Sequence, residues 1–216
     1  MPAPNPWSLV PAAEYESFMG PQGVDQLAPL SAIFARVYGA LRPARLLLPG
    51  VATGNGLEHV DPRVTRRVVG LDVNIQYVAV ARQRHLRLGP ALELYCEDLL
   101  HTRLDAGSFD LVHAALVLEH VEPFPAVERF ARWLAPGGAC AVVLQLGGGE
   151  PARPDGALLR QVTEQARLVA PAELRAMFER QGMVQRNAFE LPVPQGRRFF
   201  VGLFSKPKPK PPPGRR

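Results

Sequence analysis

Two aspartates and one turn of small residues carry the chemistry that this sequence offers most clearly. The turn lies in Leu46-Leu47-Leu48-Pro49-Gly50-Val51-Ala52-Thr53-Gly54-Asn55-Gly56, where an apolar run passes through small residues into a helix start. Such a turn lets backbone N–H groups approach a ligand closely and sets a helix N-terminus beside it. The dinucleotide spacing G-x-G-x-x-G fails here. From Gly50 its second and third glycine positions are Ala52 and Asn55, and from Gly54 the third is His59. A phosphate loop fails as well, because no Gly-Lys-Ser/Thr occurs. Asp72 closes the next apolar run, where a carboxylate can accept from both hydroxyls of a ribose. Asp98, in Cys96-Glu97-Asp98-Leu99, follows a third run and can accept from the exocyclic amine of adenine. Each feature has a plainer alternative: a tight strand–helix turn for the glycines and helix capping for the two aspartates.

His120 is the candidate catalytic base, since it follows a fourth apolar run and an imidazole titrates near neutrality. A packed histidine is the competing reading, and His113, inside the run, reads as structural. The five histidines and two cysteines show no metal-ligand spacing, and there is no G-x-S-x-G elbow. Tyr15 and Glu16 lie in a short N-terminal helical stretch that can fold over a ligand as a lid, with a plain packing role for Tyr15 as the competing reading.

The elements that must position these groups alternate. Leu30, Ile33, Phe34, Val37, Tyr38 and Leu41 form one helix face, with Pro29 in its first turn. Strands follow at 46–48, 68–72, 92–96, 109–117 and 139–146. Between them lie a helix capped by Asn74 and another over about 125–134. A helix at 171–180 precedes two strand-like runs, 184–191 and 197–204, separated by a loop at 192–196. Apolar strands alternating with helices predict a doubly wound α/β sheet, mainly parallel, covered on both faces and ending in an antiparallel hairpin. The chain divides into lead-in and cap helices (1–44), a main domain (45–205) and a tail (206–216).

Loop, Asp72, Asp98, the Phe109-Asp110-Leu111-Val112 strand and Leu134-Ala135-Pro136-Gly137-Gly138 occur in an order that resembles the class I S-adenosylmethionine-dependent methyltransferases, particularly the small type-11-like group. The resemblance is strongest over residues 45–146. It implies a Rossmann-like seven-stranded fold with S-adenosyl-L-methionine as cofactor. It further implies that Gly50, Ala52, Gly54 and Asn55 border the methionine part. Asp72 with Val73 would hold the ribose, and Asp98 with Leu99 the adenine. Leu116 and Glu119 would line the methyl-transfer site. One departure stands out: where the family carries an acid near the methionine ammonium, this chain has Leu48. Glu16 and Glu119 are the candidate replacements.

Charge and composition narrow the partners. The net charge is +5, yet the eleven residues Lys206–Arg216 hold three Lys, two Arg and no acid, so the body is formally neutral. A neutral body argues against a large nucleic-acid footprint, and the Pro-rich tail reads as a disordered, solvated end that can contact an acidic partner. No Asn/Asp-Pro-Pro-Tyr/Phe signature follows the fourth strand, so a small-molecule acceptor is favoured. The alternatives are a non-catalytic binding module and an RNA methyltransferase gripping through the tail. Cys96 and Cys140 read as buried free thiols of a reducing compartment. The N-terminus lacks a basic segment and no run is long enough to span a membrane, so a cytoplasmic protein is expected.

Overall fold

The computed structural model describes residues 5–149 and 154–208. Its centre is a seven-stranded sheet, β1 (Arg45–Pro49), β2 (Arg67–Asp72), β3 (Leu92–Cys96), β4 (Phe109–Ala115), β5 (Leu134–Gln145), β6 (Val184–Val193) and β7 (Arg197–Ser205). The order is β3-β2-β1-β4-β5-β7-β6. The first five strands are parallel and β7 runs antiparallel between β5 and β6. The expected mainly parallel sheet with a C-terminal hairpin is therefore what forms. Leu46, Leu47, Val68, Val69, Leu111 and Val112 are fully buried, as strands covered on both faces must be.

The helices are α1 (Ala12–Met19), α2 (Leu27–Leu41), α3 (Ile75–Arg84), α4 (Pro123–Trp133), α5 (Ala157–Glu164) and α6 (Pro171–Arg180), with a 3-10 turn at Pro6–Leu9. On one face, Phe130 and Trp133 of α4 and Phe178 of α6 pack with Leu47, Val112 and Phe204. On the other, Phe34 and Tyr38 of α2 and Val78 and Ala81 of α3 pack with Leu46, Leu48 and Val68. The segment before residue 45 thus contributes Phe34 and Tyr38 to the core on this face of the sheet.

Strand order reverses between β1 and β4, since the chain winds outward through β2 and β3 and then returns. That reversal leaves a crevice at the carboxyl ends of the central strands, the usual ligand position in open α/β sheets. At the opposite edge, Asp110 accepts from the Arg45 backbone N–H (2.9 Å) and guanidinium (2.7 Å), so the acid of the fourth-strand motif ties β1 to β4 away from the crevice.

Four readings need correction. Cys96 is exposed at the end of β3 and only Cys140 is buried, because β3 is an edge strand with one covered face. Lys206, assigned to the tail, is anchored. Its backbone exchanges hydrogen bonds with Gly137 and Gly138, and its ammonium donates to Ala131 O and Leu134 O, both at 2.8 Å, at the end of α4. Residues 209–216, the rest of the expected tail, lie outside the described residues. The segment around 157–164 forms α5, which the sequence pattern did not announce: only Leu159 and Val162 are buried, too few to set a helical period. Pro192 belongs to β6 rather than to the loop, which an edge strand allows.

Candidate active site

A cavity of about 500 Å³ opens at the reversal point, within the size range of small-molecule sites. Its floor is the carboxyl ends of five strands: Gly50 after β1, Asp72 ending β2, Asp98 after β3, Leu116 after β4 and Gln145 ending β5.

Gly50 is required twice over. It sits in the left-handed region (φ 68°), and an added Cβ would lie 3.0 Å from Val117. Leu116 is also left-handed (φ 53°), which turns the chain sharply out of β4 and brings Val117 against the glycine loop. A non-glycine residue held there costs roughly 1–2 kcal/mol.

Asp72 is held in place by backbone. Its Oδ2 accepts from the N–H of Ala52 and its Oδ1 from the N–H of Asn74, both at 2.9 Å. Burial nevertheless pushes its carboxyl up to about 6, with those N–H groups partly opposing the shift. A carboxylate so placed can accept two further hydrogen bonds from a ligand diol.

Glu119 lies in a 3-10 turn after β4 and is 4% exposed. Its Oε1 accepts from the backbone N–H of Gln145 at 2.8 Å, while its Oε2 has no partner among the described residues. Burial raises its carboxyl to about 7. His120 also lines the cavity, with Trp7 edge-on at 5.0 Å, and burial lowers it to about 4. The imidazole is therefore neutral at pH 7 and a weak base.

The raised Glu119 carboxyl has a consequence for stability. The folded state binds this proton more tightly than the unfolded chain, whose glutamates titrate near 4.3. Stability therefore falls as pH rises from about 4.5, and the full cost stands above about 7, at about 3 kcal/mol. Glu119→Gln, which keeps an acceptor for Gln145 N–H, is expected to raise the melting temperature at pH 8 by roughly 6–12 °C. Near pH 4.5 it is expected to change little. Thermal melts of both proteins at the two pH values check this, and an equal shift at both contradicts it.

The roof comes from the N-terminus. Asn74 caps α3 through its Oδ1, and its Nδ2 donates to Trp7 O (2.8 Å) and Val10 O (2.7 Å). Val10 then packs with Tyr77 of α3 and with Leu159 and Val162 of α5. Trp7, Tyr15, Phe18 and Met19 face the cavity from this strap, and the rings of Tyr15 and Tyr77 lie 4.9 Å apart.

Of the residues singled out in the sequence, Gly50, Ala52, Asp72, Val73, Asp98, Leu99, Leu116, Glu119 and His120 all border the cavity. Gly54 and Asn55 do not. Gly54 packs on the ring of His85, which an added Cβ would meet at 2.8 Å, and Asn55 donates to Leu27 O at 3.0 Å. These two positions shape the turn and dock α2. Leu48 faces the α2 and α3 core, so an acid there would be buried among Phe34, Val51 and Val78. Glu16 is paired with the guanidinium of Arg84 through both oxygens, outside the cavity wall. Of the two candidate replacement acids, Glu119 is the one that reaches the cavity. Gln26, Gln145 and Arg197 also line it, and nothing in the sequence pattern marked them, because each is brought in by a long-range strand or loop contact. No group of three or more His, Cys, Asp or Glu among the described residues could hold a metal.

Residues 47–142 match the family model of a methyltransferase domain. Phosphoethanolamine N-methyltransferase 1 of Arabidopsis thaliana is 28% identical over 100 residues, covering 45% of this chain and 20% of the relative. The Triticum aestivum phosphoethanolamine N-methyltransferase is likewise 28% identical over 100 residues, covering the same shares of both chains. The matched part of the chain thus spans about one fifth of the length of these curated relatives. Among solved structures, the N-methyltransferase NodS from Bradyrhizobium japonicum in complex with S-adenosylhomocysteine superposes with a TM-score of 0.69. It is 17% identical, covering 88% of this chain and 91% of that one. The Haemonchus contortus phosphoethanolamine N-methyltransferase 2 gives 0.71 at 16% identity, covering 91% and 57%. The [4+2]-cyclase SpnF gives 0.68 at 16% identity, covering 84% and 81%. At these identities the structures show a shared fold.

Proposed function

We propose that this chain, whose residues 47–142 match the model of a methyltransferase domain, transfers a methyl group from S-adenosyl-L-methionine to a small-molecule acceptor enclosed under the N-terminal strap. The observation that carries the reading is Asp72, fixed by Ala52 N–H at the edge of a cavity that also reaches Asp98 and Leu99.

The wall fits the cofactor. Asp72 offers two carboxylate oxygens for a ribose, and the gap beside β3 is bordered by Asp98 and Leu99, as an adenine requires. The Tyr77 hydroxyl is buried on the same wall without a partner among the described residues, a cost that a polar ligand relieves. When bound, the cofactor supplies an electrophilic methyl group, which an acceptor lone pair takes as the carbon–sulfur bond breaks and its electron pair stays on sulfur. The chain's own residues bind, orient and exclude water, which suffices where a cofactor brings the activation. His120 and Glu119 are the groups placed to handle a proton. The N-methyltransferase names of the relatives agree with a small acceptor, and the Lys206 ammonium, spent on α4, is unavailable as part of an RNA grip.

Calorimetric titration with S-adenosylhomocysteine tests the reading. One site per chain with micromolar affinity is expected. Absence of binding at millimolar ligand overturns it.

A further inference from the structure

We infer that the free carboxylate oxygen of Glu119 binds the methyl acceptor, and that the acceptor is therefore an amine that enters as a cation. The inference rests on the methyltransferase reading and adds the acceptor class to it.

Glu119 is placed for the acceptor and not for the nucleoside. Its Oε1 is pinned by Gln145 N–H at the end of β5, three strands from Asp72 on β2, which is roughly 14 Å at the usual strand spacing. Asp72 and Asp98 mark the adenosyl half over β2 and β3. Glu119 belongs to the other half, which is walled by Gln26, Gln145, Leu146, Thr163 of α5 and Arg197 of β7. Among the described residues, Oε2 is a buried acceptor on this wall with no donor. A buried carboxylate left so is costly unless a ligand supplies a donor, and a charged N–H donor repays most. A neutral hydroxyl at this oxygen would repay less, and an anionic group placed against it would be repelled.

The same oxygen can manage the proton. An alkylammonium has no lone pair to give, so it must lose one proton before it reacts. Glu119 accepts that proton, which leaves the lone pair on nitrogen and a neutral carboxyl in the wall. The new nitrogen–carbon bond then places the positive charge on the product nitrogen, and the Glu119 proton returns to water when the site opens. A carboxyl raised to about 7 by burial is closer in basicity to an amine than an exposed one is, which eases the exchange. The titratable and charged groups sharing the cavity are His120 beside it, Arg197 from β7, Tyr15 from α1, Tyr77 from α3, and Asp72, Glu97 and Asp98 at the far end.

The test is a binding measurement that needs no identified acceptor. Sinefungin resembles S-adenosylhomocysteine but carries a primary ammonium where the cofactor carries its sulfur-bound methyl. Both ligands are titrated calorimetrically into wild-type protein and Glu119→Gln. Wild type is expected to favour sinefungin over S-adenosylhomocysteine by about tenfold more than the variant does. In wild type alone, the preference is expected to shrink as pH falls from 8 to 6 and Glu119 protonates, which keeps the test intact if the variant misfolds. An unchanged ratio, or an equal weakening of both ligands that marks Glu119 as the partner of their shared amino-acid ammonium, overturns the assignment alone. Failure of either ligand to bind wild type overturns the methyltransferase reading, and this inference with it.

Discussion

Asp72→Ala is expected to weaken S-adenosylhomocysteine binding by about 100-fold or more. Two ribose hydroxyls donating to one ionised carboxylate make two charge-assisted hydrogen bonds, each contributing about 1.5–3 kcal/mol. Their loss also frees the Ala52 and Asn74 N–H groups that Asp72 now holds. Asp72→Asn separates the two effects in part. It keeps one acceptor oxygen for Ala52 N–H, so the glycine loop stays closed, while its amide NH2 faces the Asn74 N–H and the diol loses an acceptor. The direction with pH follows from the raised carboxyl at about 6. Below that value the wild-type group is protonated and loses acceptor capacity, so affinity falls with pH through the window from about 7 to 5. The Asn variant is expected to be flatter there. Glu119 titrates in an overlapping range in both proteins, so the ratio of their affinities isolates Asp72. Titration calorimetry across pH 5–8 reads it, and identical pH profiles for wild type and Asp72→Asn contradict the assignment.

Asn74→Ala is expected to cost about 2–4 kcal/mol and to release the N-terminal strap. One buried side chain does both jobs: Oδ1 caps α3 by accepting from Gln76 N–H (2.9 Å), and Nδ2 holds the carbonyls of Trp7 and Val10. Losing a cap costs about 1 kcal/mol, and leaving the Val10 carbonyl unpaired adds about 1–3 kcal/mol, since the Trp7 carbonyl keeps the Val10 N–H at 3.3 Å. Asn74→Asp keeps the cap, since aspartate accepts as well as asparagine, and removes only the donor to the strap. Hydrogen exchange read by mass spectrometry is expected to show residues 5–19 losing protection in both variants and α3 losing it only in Asn74→Ala. Retained protection of residues 5–19 in Asn74→Asp would show that packing of Val10 and Trp7 alone holds the roof.

The strands and most helices were legible because each has a local signature. Residues 92–96 and 171–180 form the expected strand and helix with the same bounds, the first from its bordering turns and the second from Pro171 and Gly182. Asn74 was legible as a cap for the same reason. Its second role was not, because the carbonyls it holds lie 64 and 67 residues away in sequence. The glycine loop shows the limit from the other side. Gly50 and Gly54 are both small and left-handed, yet one borders the cavity and the other packs on His85, a distinction set by which neighbour approaches. Cys96 and Cys140 sit in similar apolar runs, and only the strand order, which puts β3 at the edge, exposes one and buries the other.

By itself the sequence determined the periodic elements, the order of the motif residues and the confinement of excess charge to the last eleven residues, since all of these depend on neighbours in the chain. The tertiary structure decided which carboxylates are available. Glu16 is consumed by Arg84, Asp110 by Arg45, and Asp72 is partly held by backbone, while one buried oxygen of Glu119, at the cavity wall, has no partner among the described residues. Availability of a charged group depends on burial and on partners distant in sequence, and those are fixed only when the sheet brings β4, β5 and β7 side by side.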